Sequence, residues 1–279
     1  MTEISGATRV VGVIGSPVRH SLSPALHNAA FAAGGLDWRM LAFDVAPGGA
    51  ADAVAAIRAL GITGLAVTMP HKADVAAAVD ALDPAAVALR SVNTVVLGDD
   101  GSTFGASTDG AGFIDSLTEA GYDVAGRRVV VLGAGGAARS IVYSLGVAGV
   151  ADVAVVNRTP ASAEECAALS PVGRVGSFAD VDGADLLVNT TPVGMGGSGE
   201  LPLDAGLLRP DLAVCDIVYH PLETPLLAAA RACDAHAIDG LGMLVHQAVH
   251  QQLLWTAHRP DPAAMRAAAE QELLRRAGG

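Results

Sequence analysis

The sequence predicts an α/β protein with two domains, each containing a mainly parallel sheet covered by helices. Short apolar runs rich in β-branched residues alternate with amphipathic segments, and the runs are apolar throughout. Strands of a parallel sheet have this composition because helices cover both faces of the sheet. The length of 279 residues also exceeds the ~100–150 residues of a typical domain.

The predicted elements follow the chain in alternating order. Strands are predicted at residues 10–14, 65–68, 129–132, 153–156, 186–188 and 213–218. Amphipathic spacing and flanking Gly, Pro and Asp residues predict helices at 24–33, 50–60, 110–120, 136–147 and 224–232. Residues 98–101, Gly-Asp-Asp-Gly, lie between two short β runs and predict a hairpin at a sheet edge. Residues 240–279 are predicted to be helical, with Trp255 on their packing face.

The clearest domain boundary falls at residues 108–110, where the first α/β segment ends and a helix leads to a new strand. We expect residues 1–108 to form the first domain and residues 109–239 the second. The C-terminal helices at 240–279 are expected to complete the first domain. A ligand site is expected in the cleft between the two domains.

Charge and cysteine content narrow the range of possible partners and cellular locations. A chain with 51% hydrophobic and 16% charged residues can bury a core, and a net charge of −12 argues against nucleic acid or an anionic membrane as partner. No apolar run is long enough to cross a bilayer, and residues 1–15 lack a signal-peptide core. The three cysteines, Cys166, Cys215 and Cys233, have no disulfide or zinc-site spacing. We therefore expect a cytoplasmic protein without a metal.

One residue count is unusual. Of the 17 Lys and Arg residues, 16 are arginine and one is lysine, Lys72. The alanine-rich composition indicates a bias that replaces lysine by arginine wherever only a positive charge is needed. Arginine stays protonated in proteins, whereas lysine can release a proton. Lys72 is therefore a candidate for proton transfer, with chance survival of one lysine as the alternative.

A dinucleotide site is predicted where strand 129–132 ends. The turn that leads to the next helix has the pattern G-x-G-x-x-A and consists of Gly133, Ala134, Gly135, Gly136, Ala137 and Ala138. Gly133 permits the tight turn, Gly135 lets the backbone approach a pyrophosphate, and Ala138 lets the helix lie close to the strand. The phosphates then meet the N–H groups at the positive end of the helix. A tight turn without a ligand is the alternative.

The next strand, residues 153–156, leads into Asn157, Arg158 and Thr159. NAD sites usually carry Asp or Glu at this point to bind the ribose hydroxyls. A guanidinium and a hydroxyl suit a 2′-phosphate instead, and no carboxylate is present to repel it. The sequence therefore favours NADP, with a solvated arginine beside a helix start as the alternative.

Polar residues of the first domain, with Asp109 at the start of the second, lie near the ends of predicted strands, where ligands of open α/β sheets bind. They are Ser21, Ser23, Thr68, Lys72, Asn93 and Asp109. Their hydroxyls, amide, ammonium and carboxylate suit a small hydroxylated acid and the transfer of one proton. Ser23 before Pro24 and Asp109 also suit helix N-caps. Asn93 also suits a turn, and Lys72 a solvated surface.

These segments, in this order, resemble the shikimate dehydrogenase family over nearly the whole chain. In the first domain the matching segments are 15–24 (GSPVRHSLSP), His27-Asn28, 67–72 (VTMPHK), 91–94 (SVNT) and 108–110 (TDG). Further along they are the turn at 133–138, 157–159 (NRT), 189–195 (NTTPVGM), 216–227 (DIVYHPLETPLL) and 240–247 (GLGMLVHQ). Several are short alone, but the set is highly specific.

The resemblance implies NADPH-dependent reduction of 3-dehydroshikimate to shikimate, the fourth step toward chorismate and the aromatic amino acids. It implies a three-layer α/β substrate domain and a Rossmann-type NADP domain, in a monomer or homodimer whose ligands are small molecules. Lys72 would supply the proton, and Asp109 would orient the Lys72 ammonium. The other residues implied to bind substrate are Ser21, Ser23, Thr68, Asn93, Tyr219 and Gln247. Those implied to bind cofactor, besides the glycine turn and Asn157 to Thr159, are Ile217, Gly240 and Met243.

Three positions depart from the family pattern. Ala66 and Ser107 replace asparagines, and Ser162 stands where many NADP-specific members carry a second arginine. The first two changes are expected to loosen hydrogen bonding to the substrate. The third is expected to weaken the clamp on the 2′-phosphate.

Three alternatives stay open from the sequence. They are a quinate/shikimate dehydrogenase paralogue using NAD or NADP, a nucleotide-binding regulatory module without turnover, and a methylene-tetrahydrofolate dehydrogenase. The presence of both Lys72 and Asp109 argues against the regulatory module. Ser21, Ser23 and Tyr219 suit a small acid better than a pterin.

Overall fold

The computed structural model describes residues 3–277, which form two compact units. Unit 1 comprises residues 3–108 and 245–277, and unit 2 comprises residues 109–244. Each unit is built on a six-stranded sheet, so the predicted α/β class with two mainly parallel sheets is confirmed. Within the described residues, no helix has the length and apolar character needed to cross a membrane.

Strands and helices alternate along most of the chain. The strands are β1 (Arg9–Gly15), β2 (Trp38–Asp44), β3 (Gly64–Val67), β4 (Ala81–Leu82), β5 (Thr94–Leu97), β6 (Thr103–Ala106), β7 (Arg128–Leu132), β8 (Asp152–Val156), β9 (Gly173–Val175), β10 (Leu186–Asn189), β11 (Ala213–Asp216) and β12 (His236–Asp239). The helices are α1 (Ser23–Ala33), α2 (Ala50–Leu60), α3 (Lys72–Ala78), α4 (Pro84–Leu89), α5 (Asp109–Glu119), α6 (Gly136–Val147), α7 (Pro160–Ala167), α8 (Pro225–Ala232), α9 (Leu241–Thr256) and α10 (Pro262–Ala277).

The sheet of unit 1 has the strand order β2-β1-β3-β5-β6-β4. Strand β5 is antiparallel to both of its neighbours, β3 and β6, while the remaining neighbours are parallel. Alternate side chains face opposite layers, as the two-residue period of a strand requires. Val13 packs with Phe31 of α1, whereas Ile14 packs with Ile57 of α2. The sheet is therefore buried on both faces, in three layers.

The hairpin predicted at 98–101 joins β5 to β6, but its placement at the sheet edge is wrong. The edge is formed by β4, which pairs with β6 at Ala81↔Phe104 and Leu82↔Gly105. A two-residue strand is too short to produce a detectable sequence pattern. Sequence analysis also missed the edge strand β2, because its apolar run, residues 40–43, is only four residues long and two of those residues are exposed.

The sheet of unit 2 is entirely parallel, with the order β12-β11-β10-β7-β8-β9. The first strand of the unit thus lies inside the sheet, and the chain winds outward from it in both directions. Val131 packs with Ile141 of α6, whereas the adjacent Val130 packs with Leu226 of α8. Ligands of such sheets bind beyond the carboxyl ends of the two strands where the winding reverses, here β7 and β10.

We predict that Gly64→Ala destabilises unit 1. A methyl group on residue 64 would meet the backbone oxygen of Val95 and the indole nitrogen of Trp255. Those two atoms form a hydrogen bond of 2.9 Å that attaches α9 to β5, so the methyl group would have to displace it. Overpacking of this kind typically costs about 1–3 kcal/mol.

Urea unfolding should show this loss for Gly64→Ala. The matched control is Gly6→Ala, because a methyl group on residue 6 meets no atom within 4 Å. Equal midpoints for the two variants would contradict the prediction.

Candidate active site

The candidate substrate residues of unit 1 lie beyond the end of its sheet at which strands β1, β3 and β6 finish. The strand register pairs Ile14 with Val67, Ala66 with Thr94, and Thr94 with Ala106. Because β5 is antiparallel, its first residue lies beside the last residues of β3 and β6, and the end of β1 lies on the other side of β3. The chain segments at this end of the sheet contain Ser21, Thr68, Lys72, Asn93 and Thr108.

Lys72 is the first residue of α3 and is half-buried. The loop before it is attached to the sheet at Thr68, whose backbone N–H donates to the Ile14 carbonyl at 2.9 Å. At the other end of the loop, the buried His71 lies 2.8 Å from the Val45 carbonyl through Nε2. A carbonyl can only accept, so Nε2 carries the proton. The ammonium of Lys72 is therefore carried by a loop that is fixed at both ends.

Asn93 is buried, and hydrogen bonds hold its side-chain amide in one orientation. Its Oδ1 accepts from the backbone N–H of Thr108 at 2.9 Å and from the Thr94 hydroxyl at 2.8 Å. Its Nδ2 donates to the Thr108 hydroxyl at 2.9 Å. Because a backbone N–H can only donate, the amide oxygen must face Thr108. The Thr108 hydroxyl also donates to the Gln247 carbonyl at 3.1 Å, which links a second candidate residue to the first.

Helix α9 supports the same end of the sheet with Gln251, which the sequence analysis did not single out, beside the candidate residue Gln247. Gln247 and Gln251 are four residues apart and therefore share one face of the helix. Gln251 donates from Nε2 to the Asn93 carbonyl at 3.1 Å, and its Oε1 lies 3.2 Å from Nε2 of His27. Burial lowers the pKa of His27 to about 4, partly offset by hydrogen bonds to glutamine side chains, so the ring is neutral near pH 7. In the sequence, the signal for this role was the pair of glutamines four residues apart in a largely apolar helix.

Ser21 and Ser23 lie where the chain leaves β1 and enters α1. Ser23 is the first residue of α1, but Leu22 occupies the N-cap position, and no side chain of the described residues caps this helix. The N-cap alternative for Ser23 is therefore wrong. Ser21 satisfies the local backbone instead, since its Oγ accepts from the Ser23 N–H at 3.2 Å. The first turn of α1 also contains no acidic residue, so its positive end suits an anion.

Asp109 begins α5 in unit 2 and is half-buried. The next residue, Gly110, faces α6 so closely that a Cβ would meet the Ser140 carbonyl. Only glycine permits this approach. The close packing of α5 on α6 therefore fixes the start of α5, and with it the backbone of Asp109.

The glycine turn of unit 2 has the geometry of a phosphate cradle. Gly133 has φ +105°, which favours glycine, and its N–H donates to the Val156 carbonyl at 2.8 Å. Gly135 occupies the N-cap position of α6, and a Cβ there would meet no atom within 4 Å. The first turn of α6 carries no acidic residue. Open space, N–H groups and the positive helix end together fit a pyrophosphate.

The segment after β8 places Asn157, Arg158 and Thr159 next to α7. Nδ2 of Asn157 donates to the Thr159 carbonyl at 3.1 Å and holds the turn. Arg158 is exposed, and no carboxylate among residues 3–277 forms an ion pair with it. Thr159 is at the N-cap position, without a side-chain cap. Arg158 is therefore able to approach a phosphate without first breaking an ion pair.

A buried carboxylate, Asp216, organises residues 216–224, the segment of unit 2 that carries the candidate residues Ile217 and Tyr219. Asp216 accepts from Nδ2 of Asn189 at 2.9 Å, from the Val218 N–H at 3.1 Å and from the Thr224 hydroxyl at 2.7 Å. Burial raises the pKa of Asp216, and these hydrogen bonds partly offset the increase. Sequence analysis assigned no role to Asp216, whose bonds hold the segment that carries Ile217 and Tyr219.

The remaining cofactor candidates lie beside this segment. A Cβ on Gly240 would meet the Ile217 carbonyl, so the two backbones touch and only glycine fits. Met243, in the first turn of α9, is largely buried in the same core as β7 and α6. Among the described residues, no three His, Cys, Asp or Glu side chains cluster as a metal site would require.

Comparison with known proteins decides the family. The matching family models are the shikimate dehydrogenase substrate binding domain at residues 13–95, shikimate / quinate 5-dehydrogenase at 116–181, and the shikimate 5'-dehydrogenase C-terminal domain at 240–270. The shikimate dehydrogenase (NADP(+)) of Moorella thermoacetica is 45% identical, over 95% of this chain and 94% of its own. This chain belongs to the shikimate dehydrogenase family. The resemblance inferred from the sequence is therefore confirmed.

Solved structures of this family have the same fold. The shikimate 5-dehydrogenase of Thermus thermophilus, in complex with NADP(H) and shikimate, is 36% identical with a TM-score of 0.89, covering 94% of this chain and 99% of its own. The quinate dehydrogenase of Corynebacterium glutamicum, in complex with NAD, is 31% identical with a TM-score of 0.88, covering 95% and 99%. The two relatives were solved with different cofactors, NADP(H) and NAD.

For this dehydrogenase we predict that Gly135→Ala weakens dinucleotide binding without destabilising the fold. The added methyl group enters open space at an allowed φ of −77°, where it would obstruct a pyrophosphate. The Kd for NADPH or NADH should rise at least about tenfold. Titration of the reduced cofactor's fluorescence measures this change.

Gly133→Ala is the matched variant for this test. Its φ of +105° and the nearby Thr190 hydroxyl make a methyl group there strained, so it should also lower the free energy of unfolding, by about 1–2 kcal/mol. Wild-type affinity in Gly135→Ala would contradict the assignment of the cradle.

Proposed function

We propose that this chain catalyses the reversible NADPH-dependent reduction of 3-dehydroshikimate to shikimate, in the pathway to the aromatic amino acids. The main observation behind the proposal is that Thr68, Lys72 and Asn93 all lie at the same end of the unit 1 sheet. These side chains suit a small hydroxylated ketone, and unit 2 has the turn and Arg158 that suit NADP. The named relatives, shikimate dehydrogenases of the NADP type, support the same reaction.

Lys72 is proposed as the proton donor. Charge that develops on the ketone oxygen during reduction is stabilised by the ammonium, which then transfers a proton to that oxygen. Asp109 is proposed as the second catalytic residue, a carboxylate that accepts a hydrogen bond from the hydroxyl formed. NADPH, when bound, supplies the hydride.

The domain of residues 1–108, completed by the C-terminal helices at 240–279, is proposed to bind substrate, and residues 109–239 are proposed to bind NADP. Ser21 and Ser23, with Tyr219, bind the substrate carboxylate. Thr68, Asn93 and Gln247 bind the ring hydroxyls. The residues proposed for the cofactor are Gly133, Ala134, Gly135, Gly136 and Ala137 at the pyrophosphate, Asn157, Arg158 and Thr159 at the 2′-phosphate, and Ile217, Gly240 and Met243 at the nicotinamide.

Cellular setting and partners belong to the same proposal. A net charge of −12 and free cysteines, two of them buried, favour a cytoplasmic enzyme whose ligands are small molecules rather than nucleic acid. The oligomeric state that we propose is a monomer or a homodimer. Size-exclusion chromatography with light scattering distinguishes the two.

A steady-state comparison of four substrate pairs tests the function. The pairs combine shikimate or quinate with NADP or NAD. We expect the highest kcat/KM for shikimate with NADP, because an exposed Arg158 and the lack of a carboxylate at the end of β8 favour a 2′-phosphate. A higher value for quinate with NAD would favour the function named for the C. glutamicum relative, and no turnover of any pair would reject both.

We predict that Lys72→Arg lowers kcat by about 10²–10⁴-fold, because arginine keeps the charge but cannot donate the proton. The Kd for NADPH should stay unchanged. Arg90→Lys is the control: Arg90 is an exposed C-cap of α4, and the exchange is equally conservative. A near-normal kcat in Lys72→Arg would rule out proton donation by Lys72.

A further inference from the structure

The last turn of α10 contacts residues 20–23, the serine segment, which carries Ser21 and Ser23. Arg276 donates from Nη1 to the His20 carbonyl at 2.6 Å and from Nη2 to the Ser21 carbonyl at 3.3 Å. Its Nε donates to Glu272, one turn earlier in the helix, at 2.7 Å. All three guanidinium nitrogens are therefore engaged. We propose that Arg276 is a positioning residue for the substrate carboxylate site, a role that rests on the proposed function.

The two carbonyl contacts fix the direction of the serine segment. In a trans peptide the N–H group points away from the carbonyl oxygen. Because the His20 and Ser21 carbonyls face Arg276, the following N–H groups, those of Ser21 and Leu22, face the opposite side. The N–H of Ser21 donates to the Val18 carbonyl at 2.9 Å, and Oγ of Ser21 accepts from Ser23. The orientation of the segment is thus set from both sides.

Electrostatics give the same contacts a second effect. Carbonyl oxygens carry partial negative charge and would repel a carboxylate if they turned toward it. Arg276 holds two such oxygens in hydrogen bonds and adds a positive charge beside the serine segment. Its side chain is 29% exposed, so bulk water screens this charge only in part.

Glu272 holds the guanidinium in place. Hydrogen bonds from Arg275 and Arg276 lower the pKa of Glu272 to about 2, so it remains ionised at neutral pH. The helix α10 that carries these residues packs along α1, with Met265 and Ala269 fully buried. Arg276 therefore projects from a helix that is packed against α1.

Arg275 provides a matched control. It also pairs with Glu272, at 2.7 Å, but its side chain is 71% exposed, and both of these hydrogen bonds go to the one carboxylate. Arg275→Gln removes the same charge from the same turn without touching the serine segment. A difference between the two glutamine variants therefore reports the carbonyl contacts.

The experiment measures KM and kcat for shikimate and KM for NADP in three variants. We expect Arg276→Gln to raise KM for shikimate about tenfold, with kcat and KM for NADP within about twofold of wild type. Arg275→Gln should leave all three constants within about twofold. Arg276→Lys keeps the charge but cannot contact both carbonyls and Glu272, so it should recover only part of the loss.

Each outcome bears on a separate proposal. Equal KM values for Arg276→Gln and Arg275→Gln, in an enzyme whose wild type turns over shikimate, would overturn the role of Arg276 alone. Absence of shikimate turnover in the wild type would overturn the proposed function instead. If Arg276→Gln does not fold, Arg276→Lys decides, because a wild-type KM in that variant would also overturn the positioning role of Arg276.

Discussion

Strand β5 is antiparallel to β3 and β6. This reversal places Asn93, just before β5, at the same end of the sheet as Thr108 after β6 and as Thr68 and Lys72 after β3. A parallel β5 would place Asn93 at the opposite end of the strand, about 13 Å away for four residues. The amide of Asn93 then could not bond to Thr108. The candidate substrate site of unit 1 thus depends on one antiparallel strand in a mainly parallel sheet.

The buried amides of α9 explain why the end of the chain belongs to unit 1. Gln251 and Gln252 are almost fully buried, which is costly for a polar side chain without hydrogen bonds. Gln251 meets this cost by bonding to Asn93 and His27, and Trp255 bonds to Val95 one turn later. These contacts attach α9 to the same strand that carries the candidate site. A covering helix with only apolar side chains would bury β5 but would leave the Asn93 carbonyl without this bond.

Periodicity and turn chemistry predicted the parallel core strands, because those strands are continuous apolar runs. The glycine turn was recognisable because Gly133 and Gly135 have backbone requirements that no other residue meets as well. The edge strands β2 and β4 were not, since one is partly exposed and the other has two residues. The roles of Gln251, Asp216 and Arg276 depend on contacts between distant segments, and spacing in one sequence carries no information about such contacts.

The arginine bias of the composition separates two kinds of cationic site. At Arg276 three nitrogens of one planar group contact two carbonyls and a carboxylate, a pattern that a single ammonium cannot reproduce. A bias toward arginine has no chemical disadvantage there. At Lys72 the same bias meets a chemical limit, because the proposed reaction needs a cation that releases its proton. One lysine in 17 basic residues is what that limit leaves if proton transfer is required at a single position.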